Sequence, residues 1–208
     1  MHKQKIIFFI VAMINCAALA VAEDHPPASI NVPVPSAPSS DSIVSWSPSQ
    51  ELLKDLGDEE KFSTFLIRPP KGYSLTQLPG PPGAELFTWR GAVRADQSSP
   101  FLMVTIVTPP PEEQKQYTAL EALDILMAGI EQRRDNWKQL PVEKGQINNF
   151  EFIRTYWMGT DKETGSEMKG FMYVTLDGKN IVQIASQDLA SNDKAFVTAE
   201  TAALTFRK

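Results

Sequence analysis

Histidine and cysteine carry much of the side-chain chemistry proteins do near neutral pH. This chain of 208 residues has only His2, His25 and Cys16, all near its start. From residue 49 onward there is neither. That removes Ser-His-Asp and Cys-His nucleophilic catalysis, histidine general acid–base work and ordinary zinc sites from the part that can fold. No Gly-x-Gly-x-x-Gly or Gly-x4-Gly-Lys-Ser/Thr occurs, so no nucleotide cradle is signalled. No cofactor is implied, and the expectation is a protein that is not an enzyme.

Carboxylates remain. The densest group is Asp161, Glu163 and Glu167, with Lys162 among them. Oxygen ligands at that spacing could hold Ca2+ weakly, but the order of a calcium loop is missing. A solvated hairpin turn is the simpler account. Glu112-Glu113, after three prolines, reads as a charged loop. A hydrolytic carboxylate pair needs a set separation across a cleft, which only a fold can supply. Arg154 shares an alternating face with Phe152 and Tyr156. It is either an anion clamp or an arginine whose stem is buried while its head pairs or reaches solvent. Trp89 fits a core position or an aromatic anchor on a binding face, whereas Trp157 suits the core. The candidate binding surface is therefore Trp89, Arg154, Asp161, Glu163 and Glu167.

The elements that must position these residues follow from periodicity. Ser47-Pro48-Ser49-Gln50 has capping-box spacing and predicts a short helix over Leu52, Leu53 and Leu56, ended by Gly57. Phe62–Arg68 reads as one strand, and Leu78–Gly83 as a Pro/Gly loop. Two strands follow, Glu85–Arg94 and Phe101–Thr108. The second is apolar on both alternating faces, as in a strand covered on both sides. Thr118 and Glu121 form a capping box for a long helix carrying Leu120, Leu123, Met127, Ile130 and Trp137 on one face. From Gly145 to Asp188 the chain reads as a three-stranded meander. Asp177-Gly178 is the hairpin signal, predicting Leu176 opposite Lys179 and Val174 opposite Ile181. Both faces of this meander are apolar, so both need covering. The helix from Thr118 suits one, and Ser191–Leu204, with Phe196 and four alanines, suits the other. The expected fold is α+β, a central antiparallel sheet with helices on both faces.

The N-terminus reads as an export signal. A basic head, Met1–Lys5, precedes an apolar run of 17 residues, Ile6–Ala22, that ends in Ala20-Val21-Ala22. That is the three-part secretory pattern, with cleavage after Ala22. The run sits at the low edge of the roughly 17–25 residues that span a bilayer, so the rival is an uncleaved anchor. Cys16 follows Asn15 inside the apolar run, which does not suit lipidation, so it leaves with the signal. Lys3 and Lys5 leave too. The mature chain keeps 18 basic and 25 acidic residues, a net charge of −7. Such a balance does not suit nucleic acid or an anionic membrane surface, and no transmembrane segment remains. Residues 23–48 hold six prolines and seven serines and read as a disordered linker. Residues 49–208 suit one domain.

The order of elements resembles a known family. The strand closed by Pro70-Lys71-Gly72-Tyr73, the hairpin strands, the long helix, Gly145-Gln146-Ile147-Asn148 leading into Phe150-Glu151-Phe152, and the Asp177-Gly178 hairpin before a final helix look like the PsbP-like α/β/α sandwich. Exported bacterial proteins of the DcrB type resemble it too. The resemblance covers about residues 60–207. It implies a domain that binds or assists assemblies rather than catalyses. The metal-binding and photosystem-docking residues of plant members have no clear counterparts, so it assigns no site residue. The expected function is an exported, non-enzymatic domain that binds a protein or envelope component in the periplasm or outside the cell. The alternative is a carboxylate-dependent hydrolase or calcium-dependent module using the acidic loops.

Overall fold

The computed structural model describes residues 43–95, 97–111, 114 and 117–208. The expected signal peptide, the linker up to residue 42 and Glu112-Glu113 lie outside the described residues. The fold is α+β, mostly sheet with two α-helices. The strands are β1 (Val44–Ser45), β2 (Glu60–Phe62), β3 (Phe65–Ile67), β4 (Ser74–Leu78), β5 (Ala84–Arg90), β6 (Phe101–Val107), β7 (Arg134–Gln139), β8 (Glu143–Ile147), β9 (Phe150–Asp161), β10 (Glu167–Asp177) and β11 (Asn180–Leu189). The helices are α1 (Ala119–Glu131) and α2 (Asp193–Ala203), with a 3-10 turn at Leu52–Asp55.

Nine strands form one sheet in the order β1-β8-β9-β10-β11-β6-β5-β4, with β7 also pairing β9. β9 is long enough for two partners. Its first half pairs β8 and its second half pairs β7. The meander β9-β10-β11 is the antiparallel centre. Successive side chains of a strand point to opposite faces, and the core divides accordingly. Phe171 and Tyr173 join a cluster with Ala199, Ala202 and Ala203 of α2 and with the β2–β3 hairpin. Met172 and Val174 join a second cluster with Leu123, Leu126, Met127 and Ile130 of α1. The three alanines let α2 lie close to the strands. Phe206, fully buried after α2, stacks on Phe65 at 4.9 Å and closes the chain onto the hairpin.

Several elements differ from the expectation. The linker was expected to run to residue 48, but the chain joins the sheet at Val44, pairing in parallel with Gly145. Trp46 is buried because its indole lies on Gly145, where a Cβ would come within 2.4 Å of the ring. The short helix is only the 3-10 turn, with Glu51 rather than Ser47 at its cap position. The strand expected over Phe62–Arg68 is a hairpin, turning at Ser63, which has φ +48°. The capping box at Thr118 and Glu121 is present. However, α1 stops at Glu131, and Trp137 belongs to β7, stacked on Trp157 at 5.5 Å. β8 and β9 are separated by a turn in which Asn148 has φ +51°. At the last hairpin the loop residues are Gly178 and Lys179, so Leu176 faces Ile181 and Val174 faces Gln183. The register is two residues from the predicted one, which leaves every side chain on the same face.

Candidate functional site: the Arg154 cluster

Arg154 lies on β9 between the first residues of the chain to join the sheet and α2. Its Nε donates to Glu143 Oε2 at 2.8 Å, and Nη2 lies 2.7 Å from the same oxygen. Nη1 donates to the Tyr173 hydroxyl at 3.0 Å and sits 3.6 Å from Glu200 Oε1. Tyr173 donates to that Glu200 oxygen at 2.8 Å, and Tyr156 donates to it as well. The flat face of the guanidinium is covered by the Trp46 ring at 4.2 Å. Trp46 in turn meets Tyr173 edge-on at 5.6 Å.

The electrostatics follow from this packing. Burial works against the Arg154 charge, but the phenols of Tyr173 and Tyr156 and the bonds to Tyr173 and Glu143 outweigh it, so its pKa rises. Burial, then the Glu200 charge, pushes both tyrosines up, with Arg154 pulling the other way. All three groups keep their usual neutral-pH protonation, and no proton is poised to move. The donor fork is already occupied on its edges and covered on its face. An incoming anion would have to displace Glu143. The cluster therefore acts as a brace between β1, β8, β9, β10 and α2.

The other sequence candidates do not join it. Trp89 on β5 is fully buried and donates through Nε1 to Glu60 Oε2 at 2.7 Å. Three strands separate β5 from β9. Asp161 is at the far end of β9. One of its carboxylate oxygens pairs with buried Arg134, and the other accepts from the Glu163 and Thr164 amides at 3.1 and 3.0 Å. That is an Asx-type turn cap. Glu163 and Glu167 flank this turn with exposed side chains. Among the described residues, no group of three or more His, Cys, Asp or Glu is placed to hold a metal. Trp46, Glu143, Tyr173 and Glu200 are the members of the Arg154 cluster that sequence reading missed. Of these, Trp46 alone has a counterpart in the sequence that could have pointed to it, Gly145, whose missing Cβ leaves room for the ring.

No family model and no curated protein matches the sequence. Solved structures do match. Cyanobacterial PsbP (CyanoP) from Synechocystis is 14% identical with a TM-score of 0.52, covering 72% of this chain and 91% of that one. The chain has a PsbP-like fold. LpqN of Mycobacterium tuberculosis, described as involved in cell envelope biogenesis, is 12% identical with a TM-score of 0.49, covering 70% of this chain and 80% of that one. A Pseudomonas aeruginosa protein of unknown function is 6% identical with a TM-score of 0.46, covering 71% and 93%. No helix among the described residues is long and apolar enough to cross a membrane.

Proposed function

We propose that this chain is an exported, non-enzymatic domain that binds a protein or envelope component. The observation that carries this reading is the Arg154 cluster. It gathers an arginine, two carboxylates and two phenols, the richest polar chemistry we find in the domain, and it is saturated by its own members and roofed by Trp46. The acidic turn is likewise explained by capping. The absence of histidine and cysteine after residue 25 and the PsbP-like fold support the same reading. The basic head, apolar run and Ala20-Val21-Ala22 support export by a signal cleaved after Ala22, to the periplasm or beyond. The two core clusters, divided by strand parity between α1 and α2, support the finer description of a three-layer α/β/α sandwich.

The test is capture from the envelope and exported fractions of the expressing cell, with chemical crosslinking, beside a broad hydrolase screen. We expect a reproducible partner and no turnover. Nothing recovered above a mock capture, together with a hydrolytic activity lost in Glu143→Gln or Glu200→Gln, would contradict the proposal. A melting temperature that rises with millimolar Ca2+ would favour the calcium-dependent alternative.

A further inference from the structure

We propose that β4 pairs with β4 of a second copy of this chain, antiparallel, about a two-fold axis through Thr76. A sheet edge presents unpaired N–H and C=O groups, and proteins guard such edges with charge, proline, bulges or a covering segment. The two ends of this sheet are treated differently. At one, β1 covers Gly145 and Gln146 of β8. The neighbouring edge strand β7 carries Arg134, Asp135 and Lys138, a bulge between Asp135 and Lys138, and Asn136 at φ +51°. At the other end, Ser74, Leu75, Thr76 and Gln77 of β4 are all exposed and flat against β5 with no register break. No residue from Gly72 to Ala84 is charged. Proline enters only after Leu78, where it limits the length of the edge without blocking it.

A second copy is the occupant this edge fits. Antiparallel pairing about Thr76 sets Thr76 against Thr76, Leu75 against Gln77 and Ser74 against Leu78. Opposed β-branched threonines are a favourable cross-strand pair, and no like charges meet. The first charges in the chain on either side are Lys71, whose Nζ donates to Lys54 O, and Glu85, back on β5 opposite Ile106, so neither stands on the pairing strands. The register works whichever residues of β4 turn their amides outward, with roughly four to six new main-chain hydrogen bonds. Leu75, 41% exposed beside buried Trp89, gains cover. Two five-residue strands bury less than the ~800 Å2 per partner of a stable complex. The dimer is therefore weak, with a dissociation constant on the order of 0.1 mM. Salt strengthens it by screening the net negative charge of both copies.

The test uses chain purified from cells expressing the full sequence. Sedimentation from micromolar to millimolar concentration should show a monomer–dimer equilibrium. Thr76→Lys, which opposes two ammonium groups at the axis, should weaken it at least tenfold while leaving the melting temperature unchanged. In a Cys16→Ser background, Thr76→Cys should form a disulfide dimer on oxidation, since opposed Cα atoms about 4.5–5.5 Å apart suit the bond. Ser74→Cys should not, because its counterpart lies four residues away along the pair. A monomer throughout, or equal crosslinking at both positions, overturns the proposal. So does a monomer whose Thr76→Lys variant loses a partner captured from the cell, an outcome that keeps the proposed binding function and assigns this edge to a different protein.

Discussion

The two edges of the sheet close in opposite ways. At the β8 edge the arriving chain lies down as β1, Trp46 covers Gly145, and Arg154 ties the arm to β9, β10 and α2. At the β4 edge five uncharged residues have, among the described residues, no strand beyond them. The first edge concentrates buried aromatics and charge, so its residues matter for stability. The second offers main-chain groups and little side-chain chemistry, so its residues matter for contact. A polar cluster and a bare strand are both easily taken for binding sites. Saturation by internal partners is what separates them.

The contrast can be broken from the β8 side first. Trp46→Ala, or Gly145→Val in the space of its ring, should cost about 3 kcal/mol, by the cost of emptying or overfilling a packed aromatic site. Urea unfolding reads this directly, and a loss below ~1 kcal/mol would mean that the arm is not part of the core. Arg154→Ala comes next at about 2–3 kcal/mol, less than for a fully buried pair because the side chain keeps some solvent contact. Arg154→Lys should recover little of it, since an ammonium cannot reproduce the fork. Thr118→Ala, at the N-terminus of α1, should cost about 1 kcal/mol through the lost capping box, giving a scale for an ordinary local defect.

Tyr73, just before β4, sharpens the other side. Burial, then the Asp188 charge, raises its pKa from 10.0 to about 12, with Arg94 opposing. The folded state thus holds the phenol proton more tightly than the unfolded state. This contribution is fully present below pH 10.0 and is lost as pH rises through about 12. Stability should fall across that window, and Tyr73→Phe should flatten the fall, which an alkaline series of urea melts would detect. The smallest effect belongs to Thr76→Lys, within ~0.5 kcal/mol as for an exposed position. A larger loss would show that the bare edge is holding the fold.

Much of the fold was legible because it is local. The capping box at Thr118, the apolar alternation of β10 and β11 and the alanines of α2 all write their structure into neighbouring residues. β4 was missed because Ser-Leu-Thr-Gln-Leu, exposed at four of its five residues, has no buried side to impose an apolar alternation. The end of α1 was missed because Trp137 fits a helical stripe as well as a strand, and only pairing with β9 decides. The β2–β3 turn was hidden because Ser63 takes a positive φ without a glycine to announce it. Arg154 was legible as a partly buried cation. Its partners were not, since Glu143, Tyr173 and Glu200 come from three other elements and Trp46 follows β1, and they meet only once the sheet forms.

Arg154 serves as a brace for the arm rather than as a site awaiting a ligand. A double-mutant cycle of Trp46→Ala and Arg154→Ala, measured by urea unfolding, tests it most directly. The brace predicts a coupling of about 1–2 kcal/mol between the two side chains, as expected for a cation shielded against an indole face. A coupling near zero, with Arg154→Ala leaving stability intact but abolishing capture of a partner, would contradict it.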